Sequence, residues 1–157
     1  MRRTSGFTLI EVMLVLVIIA IAYTLLPRMV FSGVSGAELK TNVRAVATGL
    51  RMTRDKAIHS KKEAVLTLDL ENRAFTVPTD PVSETRQHKL NEQLDVKLFT
   101  AQADLISEKV GSIRFYPDGS SNGGRVSIGT GGRVFEIDVD WLTGHVTIDE
   151  KLGDARA

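Results

Sequence analysis

Residues Phe7–Leu26 read FTLIEVMLVLVIIAIAYTLL, twenty positions with a single charged side chain, Glu11. At about 1.5 Å rise per residue such a helix spans roughly 30 Å, the thickness of a bilayer's hydrocarbon core. A charge inside a spanning helix costs on the order of 2.5–3.5 kcal/mol, so an isolated glutamate there calls for a function. Arg2 and Arg3 precede the apolar run and mark the end that stays cytoplasmic, which sends the remainder of the chain to the far side.

Other readings of this stretch explain less. A secretory signal peptide also has a basic start and an apolar core, and Ala20-Ile21-Ala22 offers a small-residue cleavage site. Glu11 interrupts that core, however, and the apolar run continues to Leu26. A plain membrane anchor gives no reason for Glu11. A core helix of a soluble protein needs a polar face, and Val12–Tyr23 has none.

Gly6-Phe7-Thr8-Leu9-Ile10-Glu11 ahead of an apolar helix resembles the class III signal of type IV pilins and type II secretion pseudopilins. The resemblance implies cleavage between Gly6 and Phe7 by a prepilin peptidase and N-methylation of Phe7. The new amine then lies at i,i+4 spacing from Glu11. It stays mostly cationic near neutrality, since its reference pKa is about 7.7–8.0. Glu11 is therefore placed to neutralise that terminus or a neighbour's. In pilin-type filaments the resemblance implies the neighbour's, which sets axial register during assembly.

Charge separates the rest of the chain into two parts. The formal charge is +1, from 20 basic and 19 acidic residues; losing Arg2 and Arg3 with residues 1–6 leaves 18 against 19. Residues 28–62 carry eight basic and two acidic groups, whereas 118–157 carry four basic and seven acidic. Near-neutrality gives no general argument for nucleic-acid binding. There is no cysteine, which removes disulfides and thiolate metal sites from consideration.

Past Pro27, where a kink is expected, Leu39, Val43, Val46, Leu50 and Ala57 recur at helical spacing, with Ala47 and Ile58 beside them. Lys40, Arg44, Arg51, Arg54 and Lys61 mostly fall away from this stripe. The pattern predicts one helix from about Phe7 to His59, apolar all round in 7–27 and amphipathic in its continuation over 28–62. Residues 63–150 then read as an antiparallel β domain and 151–157 as a tail. Ala64, Leu66, Leu68 and Leu70 alternate like a half-buried strand, Glu71-Asn72-Arg73 turns, and Ala74–Val77 returns. Pro78–Lys89 reads as an exposed loop. Further strands are predicted around Leu94–Leu98, Ser112–Tyr116, Arg125–Ile128, Val134–Val139 and His145–Ile148. The fold class is α+β: a long N-terminal helix, transmembrane in its first half, packed on antiparallel sheets.

Two segments extend the resemblance. Ile113-Arg114-Phe115-Tyr116-Pro117-Asp118-Gly119 with Gly123-Gly124-Arg125-Val126 resembles a strand–turn–strand of the GspH/FimT family. Ile137–Val146 resembles its closing hairpin, in which Thr143-Gly144 forms the turn. The resemblance implies a pilin-like fold and an H-type minor pseudopilin of the type II secretion system, held in the bacterial inner membrane with a periplasmic domain. Its implied partners are the major pseudopilin and the I-, J- and K-type minor pseudopilins. The alternative is a FimT-like minor pilin that binds DNA in natural transformation. The acidic distal residues argue against that role, and no nucleic-acid partner is expected.

No catalytic constellation is legible, and neither a cofactor nor a metal is expected. Asp118-Gly119-Ser120-Ser121-Asn122-Gly123 matches half of an EF-hand loop, but its twelfth position is Gly129 where a bidentate glutamate is required. His59, His88 and His145 lack paired ligand spacing. Gly129-Thr130-Gly131-Gly132 has neither the lysine nor the following helix of a phosphate loop. Trp141, beside Asp138 and Asp140, suits either a protein contact or a cap on the sheet core.

Overall fold

The computed structural model describes residues 9–30, 34–79, 85–100, 105–107 and 109–152. Two compact units divide at Gly33/Val34. The first contains helix α1 (Leu9–Val30), which passes through Pro27 without ending. Among the described residues, the second holds helix α2 (Gly36–Ser60) and nine strands.

The single helix expected from Phe7 to His59 is instead two. Ser35 has extended backbone (ψ 146°), and its hydroxyl accepts the Glu38 N–H at 3.2 Å. Ser35-Gly36-Ala37-Glu38 has the spacing of a helix N-terminal signature, so α2 begins afresh there rather than continuing α1. It ends on Lys61 in the left-handed region at φ 53°.

The predicted stripe is the buried face of α2: Leu39, Val43, Val46, Ala47, Leu50 and Ala57 are buried. Thr53 joins them because its hydroxyl donates to the Gly49 carbonyl at 2.8 Å, so that hydroxyl is not buried unpaired. Gly49, in mid-helix, forgoes about 1 kcal/mol of helix propensity relative to alanine. A Cβ there would sit 2.9 Å from the Phe75 ring and 3.1 Å from Val77 Cγ1. The missing side chain lets the sheet approach the helix.

Strands β1 (Ala64–Asp69), β2 (Ala74–Pro78), β3 (Thr85–Lys89), β5 (Leu105–Ser107) and β6 (Val110–Phe115) form one antiparallel sheet in the order β3-β2-β1-β6-β5. Strands β4 (Asp95–Phe99), β7 (Gly124–Thr130), β8 (Arg133–Val139) and β9 (Val146–Leu152) form the second, in the order β4-β7-β8-β9. Leu66, Phe75, Ile113, Phe115, Val126, Ile128 and Ile137 join the α2 stripe in one core. The β1–β2 turn falls where the sequence puts it. Asp69 Oδ1 accepts the N–H groups of Glu71 (3.0 Å) and Asn72 (2.8 Å), and Arg73 takes φ 47°.

Three boundaries differ from expectation. The loop assigned to Pro78–Lys89 contains β3, whose five residues are all exposed and pair with β2 from Ala74↔Lys89 to Pro78↔Thr85. A polar edge strand is held by backbone bonds, so side-chain alternation does not betray it; its Arg86, His88 and Lys89 suit an edge that must not recruit further strands. Strand β5 is likewise unforeseen. The last strand runs to Leu152, past the expected end of the β domain at 150, because Arg133 and Val134 continue the β8–β9 register to Leu152 and Lys151.

Candidate functional site

Gly6 and Phe7 lie outside the described residues. Glu11 falls in the first turn of α1, where the unpaired N–H groups of a helix start favour a carboxylate. Around it, Leu9, Ile10, Met13, Leu14 and Leu16 are 60–80% exposed in the isolated chain, and the large apolar residues from Val12 to Ile21 are all at least 46% exposed. Burying the exposed half of about ten such side chains is worth on the order of 10 kcal/mol. A helix of this kind is a surface for lipid or for other helices. Among the described residues no helix is long and apolar enough to cross a membrane, the described side chains of α1 ending at Ile21.

In the second unit, the polar loops are built around two anchors. Arg54 on α2 donates through Nε to the carbonyls of Gly119 and Thr143, each at 3.1 Å, and so ties the β6–β7 and β8–β9 connections to the helix. Asp140 Oδ1 accepts from the N–H groups of Leu142 (3.1 Å) and Thr143 (2.8 Å) and from the Thr143 hydroxyl (2.8 Å). The hydrogen bonds from Thr143, backbone first and then hydroxyl, hold the Asp140 carboxyl below the usual aspartate range. Gly144 takes φ 60°, and a Cβ there would run into the Gly119 carbonyl and the Arg54 side chain.

This loop decides the question left open for Trp141. Its ring does not cap the core: it is 66% exposed, beside Leu142 at 64%. The tight turn directs residues 141 and 142 outward while Val139 and Val146 point into the core. Trp141 lines an open groove of about 1260 Å³ together with Phe99 and Asn122–Arg125. Along it, Arg125 donates to Asp138 at 2.6 Å and lies 3.3 Å from Glu136, which also meets Lys151 at 2.6 Å. The groove, assembled from β4, β7, β8 and a turn, carries no signal in sequence beyond an aromatic beside an aspartate.

The remaining candidates have local roles. In the half-EF-hand segment, Asp118 Oδ1 accepts from Ser120 N–H (2.9 Å) and hydroxyl (2.6 Å), which lowers the Asp118 carboxyl, hydroxyl bond first. Asn122 Oδ1 accepts the Arg114 N–H at 2.9 Å. These oxygens serve the turn. His59 Nδ1 bonds the Asp55 carbonyl at 2.7 Å, and His88 stacks on Phe75 at 5.0 Å. Among the described residues no three His, Cys, Asp or Glu side chains are grouped to hold a metal ion. Gly131 and Gly132, at φ 57° and 81°, form the two-residue β7–β8 hairpin turn that Gly-Gly favours.

Comparison with known proteins agrees with the sequence motifs. A model of the prokaryotic N-terminal methylation motif matches residues 1–25, and one of type II transport protein GspH matches residues 42–143. Type II secretion system protein H of Xanthomonas campestris pv. campestris is 30% identical over 145 residues, 92% of this chain and 83% of that protein. The minor pseudopilin EpsH of the Vibrio cholerae type 2 secretion system superposes with TM-score 0.53 at 16% identity, covering 71% of this chain and 95% of EpsH. The type IV minor pilin FimU of Pseudomonas aeruginosa superposes with TM-score 0.51 at 11% identity, covering 70% of this chain and 91% of FimU. At such identities the two structures speak for the pilin-like fold alone. With the family model spanning most of the globular unit and the 30% identity extending over nearly all of the sequence, this chain belongs to the GspH family of type II transport proteins.

Proposed function

We propose that this chain, a minor pseudopilin of the type II secretion system, is a structural subunit that links the tip of the periplasmic pseudopilus to its shaft. One observation carries the reading: a methylation-type N-terminus at 1–25 and a GspH domain at 42–143 occur in a single chain. In this reading a prepilin peptidase cleaves between Gly6 and Phe7, and Phe7 is N-methylated. Before extraction the helix crosses the inner membrane once, with the C-terminal domain in the periplasm. The apolar surface of α1 then exchanges lipid for neighbouring helices, so its burial is retained in both states. Glu11 neutralises the Phe7 amine of a neighbour, an ion pair strengthened by the low-dielectric surroundings.

The FimT-like alternative shares the fold, and function is separated from it by partners. The assay titrates the protein against the soluble domains of the major and the I-, J- and K-type pseudopilins, and against duplex DNA, at low and physiological salt. Binding to a pseudopilin with negligible DNA affinity is expected, because residues 118–157, with seven acidic against four basic groups, repel phosphates. Sub-micromolar DNA binding that weakens steeply with salt, without pseudopilin binding, would overturn the assignment.

A further inference from the structure

We propose that the groove between Trp141 and Phe99 is a docking surface for a lysine- or arginine-bearing segment of a neighbouring pilin-fold subunit. The proposal rests on the subunit role given above and adds the surface and the chemistry of its occupant.

Two water-exposed aromatics in the lining are the first observation, Trp141 at 66% and Phe99 at 60%. The second is that they are displayed on fixed backbone. The Trp141 carbonyl accepts the Ser121 N–H at 2.9 Å, and Gly144 N–H closes back on the Asp140 carbonyl at 2.8 Å. Arg54 braces the same loop through Thr143. Two glycines of the lining let these residues pack closely: a Cβ on Gly123 would meet Trp141 Cβ at 3.1 Å, and one on Gly124 would meet the Phe99 carbonyl at 3.0 Å. An aromatic held in place before its partner arrives loses little freedom on binding, which is the property of an interface anchor.

Charge selects the occupant. The groove is lined by three carboxylates, Glu136, Asp138 and Asp140, against one guanidinium, Arg125. Glu136 is occupied between Arg125 and Lys151, and Asp138 accepts from Arg125 through Oδ1. Asp140 commits Oδ1 to its own turn. Asp138 and Asp140 line the same groove as the exposed Trp141, and carboxylates with an aromatic are the combination that suits a cation on an aliphatic stem. An anionic or nucleic-acid occupant meets repulsion at the same points.

The test uses the full chain in mild detergent, with the companion pseudopilins as probes. Trp141 is the sole tryptophan, so its emission reports on the groove directly. Saturation with the binding companion should shift that emission. Trp141→Ala and Asp138→Lys should each weaken binding about tenfold or more, the second more at low salt than at high. Lys89→Glu, on the edge of the other sheet, should leave binding unchanged. A companion that binds wild type and Trp141→Ala equally would overturn the groove while leaving the subunit role intact. Failure of every companion to bind wild type would overturn both. Wild type that dimerises while Trp141→Ala stays monomeric would make the occupant a second copy and refute a neighbouring subunit of another kind.

Discussion

Gly144 and Gly131 have nearly the same backbone, φ 60° and 57°, and sit at the turns on either end of β8, but their surroundings differ completely. Nothing lies within 4 Å of a Cβ built on Gly131. Gly131→Ala should therefore show only the left-handed penalty, about 1 kcal/mol. Gly144→Ala carries the same penalty and also drives a methyl group against the Gly119 carbonyl and Arg54. Relief requires moving the guanidinium, whose Nε serves both Gly119 and Thr143 at 3.1 Å. A hydrogen bond from a charged donor is worth about 1.5–3 kcal/mol. Partial exposure discounts the two, so their loss should add about 2 kcal/mol. Gly144→Ala should then destabilise the second unit by about 3 kcal/mol in all. The assay is urea unfolding followed by Trp141 emission, three residues from the substitution. Equal destabilisation by the two variants would refute the claim that Arg54 braces this loop, since only backbone strain would then be at work.

Other outcomes follow from the same structure. Gly6→Val should block processing, leaving the full-length precursor in the membrane, whereas mass spectrometry of wild type should find methylated Phe7; a mature start at Tyr23 would establish a secretory signal instead. A truncated chain beginning at Val34 should be soluble and folded, and Leu50→Asp should destabilise it by several kcal/mol, because Leu50 is fully buried and its site offers no partner for a charge; unchanged thermal unfolding would show that α2 is outside the core. The Asp140 carboxyl titrates below its ordinary value of 3.8. Its contribution to loop order is therefore complete above about 3.9 and lost as pH falls through the lower, folded-state value. Trp141 emission should report an acid transition below pH 3.8 that is absent in Asp140→Asn.

What the sequence determined by itself was whatever depends on neighbours along the chain. The fixed spacing of Gly6, Phe7 and Glu11 before an apolar run identifies the N-terminal signal without any tertiary information. Helical periodicity from Leu39 to Ala57 and alternation from Ala64 to Leu70 identify a buried face because burial repeats with the local geometry. The interruption at Ser35 was also written locally, as a capping signature, but apolar and amphipathic patterns on either side concealed it. Tertiary structure alone decided the rest. Strand β3 is polar and exposed, and only the unpaired edge of β2 calls it into the sheet. Gly49 looks like a weak point of α2 until Phe75 and Val77 are seen against it. Trp141 faces water because Asp140, Gly144 and Arg54, from a turn and a helix 86 residues apart in the case of Asp140 and Arg54, fix the loop that carries it. The groove beside it exists only where β4, β7 and β8 come together, so no single segment of sequence contains its description.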